Sequence, residues 1–256
     1  MIGRLWVERA GSFAGDVDGL ILLVTVLVGF WFFAAQGMFF WLIFRFRARE
    51  GVPALYVTGK EPHLKRWINI PHILIILCDV VIIAAAIKVW VGIKQTMPPA
   101  DEEVRVIGQQ WAWTFVHAGA DGKLDTGDDI TTTDDMHVEV GKTYHFLLES
   151  KDVLHSFSVP VFRLKQDVVP GRTITGWFKP VKTGAFDIQC AEICGIGHGV
   201  MSGRIHIESV AEHEAWVQEH TPVAAAPADA VPVTRAAGSP APTGALAASG
   251  AAAATH

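Results

Sequence analysis

Two long apolar runs constrain the fold more than any other feature of the sequence. Residues 19–44 contain no charged side chain, and a second run extends over about 68–94 with few polar interruptions. A helix needs about 20 apolar residues to cross a lipid bilayer. The sequence therefore predicts a transmembrane helical hairpin over residues 19–94, preceded by an N-terminal outer segment over residues 1–18.

Charge in the loop between the two runs indicates the orientation of this hairpin. The basic residues of the loop are Arg45, Arg47, Arg49, Lys60, Lys65 and Arg66, against the acidic Glu50 and Glu61. Loops rich in lysine and arginine stay on the cytoplasmic side. We therefore expect a multi-pass protein of a bacterial inner membrane whose chain lies in the periplasm from residue 95 onward. A cleaved signal peptide fits poorly, because the first run is too long and ends in arginines rather than in a small-residue cleavage site.

The pattern changes after Val104 to short alternating segments separated by Gly, Pro and Asp, which is typical of an all-β sandwich. The predicted strands cover 104–108, 113–117, 136–140, 143–150, 155–160, 173–179, 184–189 and 201–208. We assign this domain to residues 95–221. Residues 97–221 carry 19 acidic and 10 basic side chains, a net charge of −9 without histidines. An acidic surface attracts a basic partner, although a surface that is merely soluble would explain the same net charge equally well.

A candidate metal site lies late in this domain. Cys190 and Cys194 are four residues apart, His198 follows four residues later, and Met201 three residues after that. Thiolates, an imidazole and a thioether form a soft donor set that favours copper over zinc. Cys78 lies in an apolar run, so no disulfide framework competes. A free or bonded cysteine pair beside a core methionine is the ordinary alternative.

One local histidine leaves a copper pair short of ligands, so a second must come from elsewhere. His155, at the start of an alternating segment that ends at Pro160, is the strongest candidate. Without the downstream loop, a structural role would be the better interpretation, as it is for the other histidines of the domain. These are His117, His137, His145, His206, His213 and His220.

Several motifs together resemble subunit II of cytochrome c oxidase, the haem-copper terminal oxidase. They are C-x-E-x-C-x3-H-x2-M from Cys190, D-V-L-H-S around His155, L-K-x-D, P-G-R and Gln110-Trp111-Ala112-Trp113. The resemblance covers roughly residues 15–220. It implies an α+β membrane protein in which a two-helix hairpin precedes an all-β cupredoxin-type Greek-key barrel.

The resemblance also implies a dinuclear copper centre, CuA, bridged by both cysteines. Its ligands would be His155, Cys190, Glu192 through its backbone carbonyl, Cys194, His198 and Met201. The Glu192 carboxylate would hold a magnesium ion shared with subunit I, at an interface that Asp167 and Arg172 also line. Trp111 is expected to receive the electrons and Trp113 to be structural.

The function that this resemblance implies is electron input to a proton-translocating oxidase. The chain would accept electrons from cytochrome c and pass them to haem in subunit I, which also holds CuB and reduces dioxygen. The expected partners are subunit I, subunit III, cytochrome c and the lipid bilayer, and no nucleic acid. The CuA subunit of a nitric oxide reductase and a membrane-anchored copper-binding protein are the alternatives.

The sequence differs from the family pattern at one position just before the second apolar run. The family often has a glutamate three residues before the Trp of a Trp-x3-Pro element, where this chain has Leu64. Glu61, His63 or Asp79 could take the place of this glutamate, and the sequence does not choose among them.

Residues 222–256, rich in Ala and Pro and nearly uncharged, are predicted to form a disordered tail.

Overall fold

The computed structural model describes residues 7–53 and 56–222. The predicted tail from residue 223 onward and part of the N-terminal segment lie outside this range. Two long helices come first, α1 over Ala14–Arg45 and α2 over Pro62–Trp90. A single π-helical turn, Val91–Gln95, continues α2.

Both helices are apolar on all sides and bury almost nothing within the chain. Ala14 and Asp18 are the buried residues of α1, and α2 has none. A helix that is hydrophobic all round needs lipid or another protein to cover it. In the described part of the chain, both helices are long and apolar enough to cross a membrane. They confirm the predicted hairpin.

The helices begin earlier than the apolar runs do. The first starts five residues before residue 19 and the second six residues before residue 68. Pro62 starts α2 because a proline at the first helical position loses no intrahelical hydrogen bond. Pro71 consequently lies inside the helix, beyond its first turn.

The β-domain is a sandwich of two five-stranded sheets. The strands are β1 Glu102–Gln109, β2 Ala112–His117, β3 Ile130–Thr133, β4 Asp135–Glu139, β5 Tyr144–Ser150, β6 His155–Val159, β7 Leu164–Val168, β8 Ile174–Phe178, β9 Gly184–Cys190 and β10 Ser202–Glu208. Their order is β3-β2-β1-β5-β8 in one sheet and β4-β10-β9-β6-β7 in the other. The prediction of an all-β domain after a helical hairpin is confirmed.

Aromatic side chains fill the space between the two sheets. Trp113 and Phe115 of β2 point inward with Phe146 of β5 and Phe157 of β6, and all four are fully or almost fully buried. Phe157 contacts the other three rings in edge-to-face or tilted geometry. This core supports the β6 and β9 strands from which the candidate metal site is built.

A short helix, α3 over Val210–His220, follows the last strand and was not predicted. Ser209 caps its N-terminus, and the backbone and side chain of Glu212 complete a capping box. The Ser-x-x-Glu pattern was therefore a usable signal. The helix packs against the sandwich through His213 and Trp216, and the Trp216 ring stacks on His137 of β4 at 4.3 Å.

The chain just before α1 is fastened to the sandwich. The Ala10 amide donates to the Val161 carbonyl, and the Ala10 carbonyl accepts from Val181. The Arg163 guanidinium pairs with the buried Asp18 carboxylate at 2.8 Å. These bonds join the outer end of the hairpin directly to the β-domain.

Candidate metal centre

Strand pairing brings together residues that are 35 positions apart in the sequence. His155 is the first residue of β6, Cys190 is the last of β9, and these strands pair antiparallel with Phe157 opposite Cys190. The His155 Nδ1 atom lies 3.9 Å from Cys190 Sγ, which lies 3.7 Å from Cys194 Sγ. His155, Cys190 and Cys194 thus form a compact group of possible metal ligands.

The loop between β9 and β10 supplies the remaining donor atoms. Cys194 Sγ lies 3.7 Å from His198 Nδ1 and 3.8 Å from Met201 Sδ. The carbonyl oxygen of Glu192 lies 3.3 Å from Cys190 Sγ. The structure therefore brings together all six donor groups that the sequence predicts.

These separations fit ligands that share a metal. Metal–nitrogen and metal–sulfur bonds measure about 2.0–2.3 Å, so two ligands of one ion lie roughly 3.3–4 Å apart. A disulfide would need its sulfurs at about 2.05 Å, and both cysteines are free thiols. The donor set of two thiols, two imidazoles, one thioether and one carbonyl fits a pair of soft metal ions.

The site is buried on its inner side and closed by a tight loop. His155, Cys190, Cys194 and Met201 are all buried. The Cys190 amide donates to the Met201 carbonyl, which closes the two ends of the loop on each other. Gly195 adopts a φ of 123°, which side-chain-bearing residues rarely adopt.

Burial also sets the protonation of the metal-free site. It raises the pKa of the Cys194 thiol to about 11, and the neighbouring Cys190 contributes in the same direction. Without a metal, Cys194 is therefore a neutral thiol at pH 7. A coordinated cation deprotonates such a thiol outright.

A hydrogen-bond network around Asp152 orients His155. The Asp152 carboxylate accepts from His155 Nε2 at 2.8 Å and from the Gln110 amide at 2.7 Å. Burial raises the pKa of the Asp152 carboxyl, but these hydrogen bonds outweigh burial and hold the pKa below its ordinary value. With Nε2 as the donor, Nδ1 is left to face Cys190 as an acceptor. Asp152 belongs to the D-V-L-H-S motif, but the sequence predicts no role for it.

Gln110 holds the metal loop as well as this network. Its side-chain amide donates to the Cys194 carbonyl at 2.7 Å. The neighbouring Trp111 lies flat enough against the loop that a Cβ on Gly197 would come within 2.4 Å of its ring, and one on Gly195 within 3.2 Å. Trp111 keeps 38% of its surface exposed. It is therefore in contact with both solvent and the candidate site.

Trp113, unlike Trp111, lies in the core of the sandwich. It is fully buried, and its ring meets the His155 imidazole edge to face with centroids 6.0 Å apart. Among the described residues its indole nitrogen has no hydrogen-bond partner. Its position fits the structural role expected from the sequence.

The remaining predicted residues lie beside the loop. The Glu192 carboxylate pairs with Lys165 Nζ at 2.9 Å, and Asp167 accepts a hydrogen bond from Ser156 at 2.9 Å. Arg172 is exposed, and none of the hydrogen bonds or ion pairs of the described residues involves its side chain. The magnesium site at the Glu192 carboxylate stays a prediction.

Known proteins resemble this chain in sequence. The family profile described as "Cytochrome C oxidase subunit II, periplasmic domain" matches residues 103–210. The alternative cytochrome c oxidase subunit 2 of Bradyrhizobium diazoefficiens is 32% identical over 236 residues, covering 84% of this chain and 83% of the relative. The chain belongs to the cytochrome c oxidase subunit II family.

Other members of the subunit II family are more distant. The cytochrome c oxidase subunit 2 of Cereibacter sphaeroides is 28% identical over 234 residues, covering 79% of this chain and 74% of the relative. The crystal structure of the periplasmic domain of subunit II of cytochrome oxidase from Bradyrhizobium japonicum is 28% identical. It covers 49% of this chain and 96% of that domain, with a TM-score of 0.44.

Family membership establishes the coarse function. The protein is a subunit of an oxidase complex of the electron-transport chain and assembles with other oxidase subunits. Two apolar helices and a subunit II periplasmic domain identify it as a membrane protein whose β-domain lies in the periplasm.

Proposed function

We propose that this chain is the electron-input subunit of a proton-translocating cytochrome c oxidase in a bacterial inner membrane. It accepts electrons from cytochrome c at a dinuclear copper centre and passes them to haem in subunit I. The observation that carries this proposal is the convergence of two thiols, two imidazoles, a thioether and a carbonyl within 3.3–3.9 Å of their neighbours.

His155, Cys190, Cys194, His198, Met201 and the Glu192 carbonyl would hold the two coppers. When bound, the two coppers would supply a site that takes up and releases one electron at a time. The chain contributes rigidity, since the closed loop and the Asp152 network hold the donors in place before metal binds. Such preorganised surroundings also tune the potential of a metal site.

The electron donor is proposed to dock on the face that carries Trp111. Beside this ring the loop exposes Ile193, Ile196 and Val200, which are 80%, 96% and 78% exposed. The net charge of −9 over residues 97–221 favours a basic partner. An apolar centre within an acidic surface suits a small basic cytochrome c, with charge speeding the encounter and apolar contact fixing the docked position.

The opposite side of the loop is proposed to face the membrane subunits. Glu192 would ligate magnesium together with subunit I through its carboxylate, which pairs with Lys165 through one oxygen. One carboxylate suits Mg²⁺, which retains several waters. Asp167 and Arg172 would line the same contact, and subunit III would complete the complex.

The test is copper-loaded full-length chain, mixed with reduced cytochrome c in a stopped-flow spectrometer. We expect two coppers per chain and reduction of the centre at a rate that falls with added salt. Cys194→Ser should abolish both, whereas Cys78→Ser, a matched change outside the site, should leave both unchanged.

Each contrary result points to a different error. Uptake of a single exchangeable copper would favour a membrane-anchored copper-binding protein. Two coppers without reduction by cytochrome c at low salt would contradict the proposed donor. Purification of the native complex with a catalytic subunit that reduces nitric oxide rather than dioxygen would favour the alternative reductase.

A further inference from the structure

A groove of about 470 Å³ lies where the outer ends of α1 and α2 meet the base of the sandwich. Its lower walls are apolar and include Leu20, Leu23 and Val89. Trp177 closes the side toward the sandwich and donates from its indole nitrogen to the Ile93 carbonyl at 3.0 Å. The groove is therefore open toward the membrane and capped by the periplasmic domain.

The groove crosses the boundary between hydrocarbon and head groups. Leu20 and Leu23 belong to the uncharged run that starts at residue 19, and Asp16 lies just outside that run. On the facing helix, Lys88 lies near the outer end of the second apolar run. A long basic side chain at such a position extends to the head-group level. Acyl chains and phospholipid head groups would meet the lower and upper parts of the groove respectively.

Asp16 and Lys88 carry opposite charges into this one groove. Neither forms an ion pair or a side-chain hydrogen bond with any residue in 7–53 or 56–222. By contrast, Asp18, two residues beyond Asp16, pairs with Arg9 and Arg163. Charged groups at the edge of a bilayer usually have partners. The pair therefore offers a cation site and an anion site to one ligand.

Small residues keep the groove open. Gly19 and Gly92 both line it, and a Cβ at either position would meet no atom within 4 Å. Larger side chains would occupy the space in which an acyl chain or a glycerol backbone could lie. Gly29 is equally unobstructed on the same helix but does not line the groove.

We propose that this groove binds one outer-leaflet phospholipid with a primary-amine head group, phosphatidylethanolamine. Lys88 contacts the phosphate, Asp16 accepts hydrogen bonds from the head-group ammonium, and an acyl chain lies along Leu20, Leu23 and Val89. Phosphatidylcholine has no N–H to donate to the carboxylate, and an anionic head group gains nothing from it. The inference depends on the hairpin crossing the membrane and is independent of the copper chemistry.

Native mass spectrometry of the full-length chain, released from vesicles of equal phosphatidylethanolamine and phosphatidylcholine content, tests the head-group assignment. We expect one tightly retained lipid. Phosphatidylethanolamine should be preferred over phosphatidylcholine roughly fivefold, which is the ratio of affinities expected from one charge contact at the membrane surface. Asp16→Asn should abolish the preference, and Lys88→Gln should reduce retention of both lipids. Glu219→Gln and Lys123→Gln, which remove an acidic and a basic charge outside the groove, should alter neither. Equal retention of the two lipids by the unaltered chain would overturn the proposal.

A steric pair and a cross-linker test the location. Gly19→Phe should lower retention of both lipids at least fivefold, whereas Gly29→Phe should retain as much lipid as the unaltered chain. Equal retention by the two variants would show that the lipid lies elsewhere. In the intact oxidase, a photoreactive residue at position 20 should label phospholipid. Labelling of a protein subunit instead would show that a neighbouring chain occupies the groove.

Discussion

Replacing Gly197 with alanine should slow reduction of the metal centre without removing the metal. A Cβ at this position would lie 2.4 Å from Cδ2 of Trp111, whereas ordinary contacts are 3.4–4 Å. The indole must therefore move by about 1 Å to regain normal contact. Gly197 has a φ of −89°, so alanine introduces no backbone strain. Because Trp111 is partly exposed and can move outward, we expect a folding cost of only about 1 kcal/mol.

The expected kinetic effect is larger than this folding cost. A misplacement of about 1 Å at a reacting group can reduce a rate by up to about a hundredfold, so we expect at least about a tenfold slower reduction by cytochrome c. Gly199→Ala is the matched control, because a Cβ at residue 199 meets no atom within 4 Å. Stopped-flow mixing should be run on variants that each hold two coppers. Equal rates for the two variants, with the Trp111 indole resonance shifted in the first, would refute a role of this ring in receiving electrons.

Three further predictions concern a buried histidine, the hydrogen-bond network of His155 and the attachment of the hairpin to the β-domain. Burial lowers the pKa of His117 to about 3. The contribution of the neutral imidazole to the free energy of unfolding is therefore fully present above the unfolded pKa near 6.5 and falls by about 1.4 kcal/mol per pH unit below that value. Urea unfolding at pH 7 and pH 5 measures this slope, and an equal slope in His117→Phe would contradict the assignment. Asp152→Ala, which removes the partner of His155, should weaken metal binding about 10- to 100-fold in chelator competition; affinity within a factor of two would count against it. Arg163→Met leaves the buried Asp18 carboxylate paired with Arg9 alone among the described residues and should cost about 2 kcal/mol, seen as faster amide exchange in residues 7–13; unchanged exchange would show that the Arg163–Asp18 pair does not fasten the segment.

The hairpin could be predicted from the sequence because its signal is one-dimensional. Length and the absence of charge identify a membrane helix without knowledge of its neighbours. The true ends of the helices differ from the ends of the apolar runs, because polar residues such as Asp16 and His63 continue a helix outside the hydrocarbon. Hydropathy reports the bilayer core and is insensitive to these extra turns.

The metal loop could also be predicted from the sequence, since four side-chain donors lie within twelve consecutive residues. His155 was harder to select, because its proximity to Cys190 depends on the pairing of β6 with β9. The chemical need for a second imidazole and the D-V-L-H-S motif identified it among seven candidate histidines of the β-domain. The roles of Gln110 and Asp152 could not be read from the sequence, since they depend on side-chain hydrogen bonds between separate loops.

Two strands and one helix were missed for identifiable reasons. β3 is a short threonine-rich segment beside an acidic turn, and β7 has buried Leu164 and Val168 at its ends with three polar residues between them. Both lack the hydrophobic periodicity that predicts a strand. The α3 helix is mainly polar and is held by Trp216 and several imidazoles rather than by an apolar stripe. Its capping box was the available signal.

Metal analysis combined with electron spin resonance on the copper-loaded chain tests the central claim most directly. One unpaired electron shared by two equivalent copper nuclei produces a seven-line hyperfine pattern, and the proposal predicts this pattern at two coppers per chain. A four-line spectrum from a single copper, or uptake of zinc in preference to copper, would contradict it.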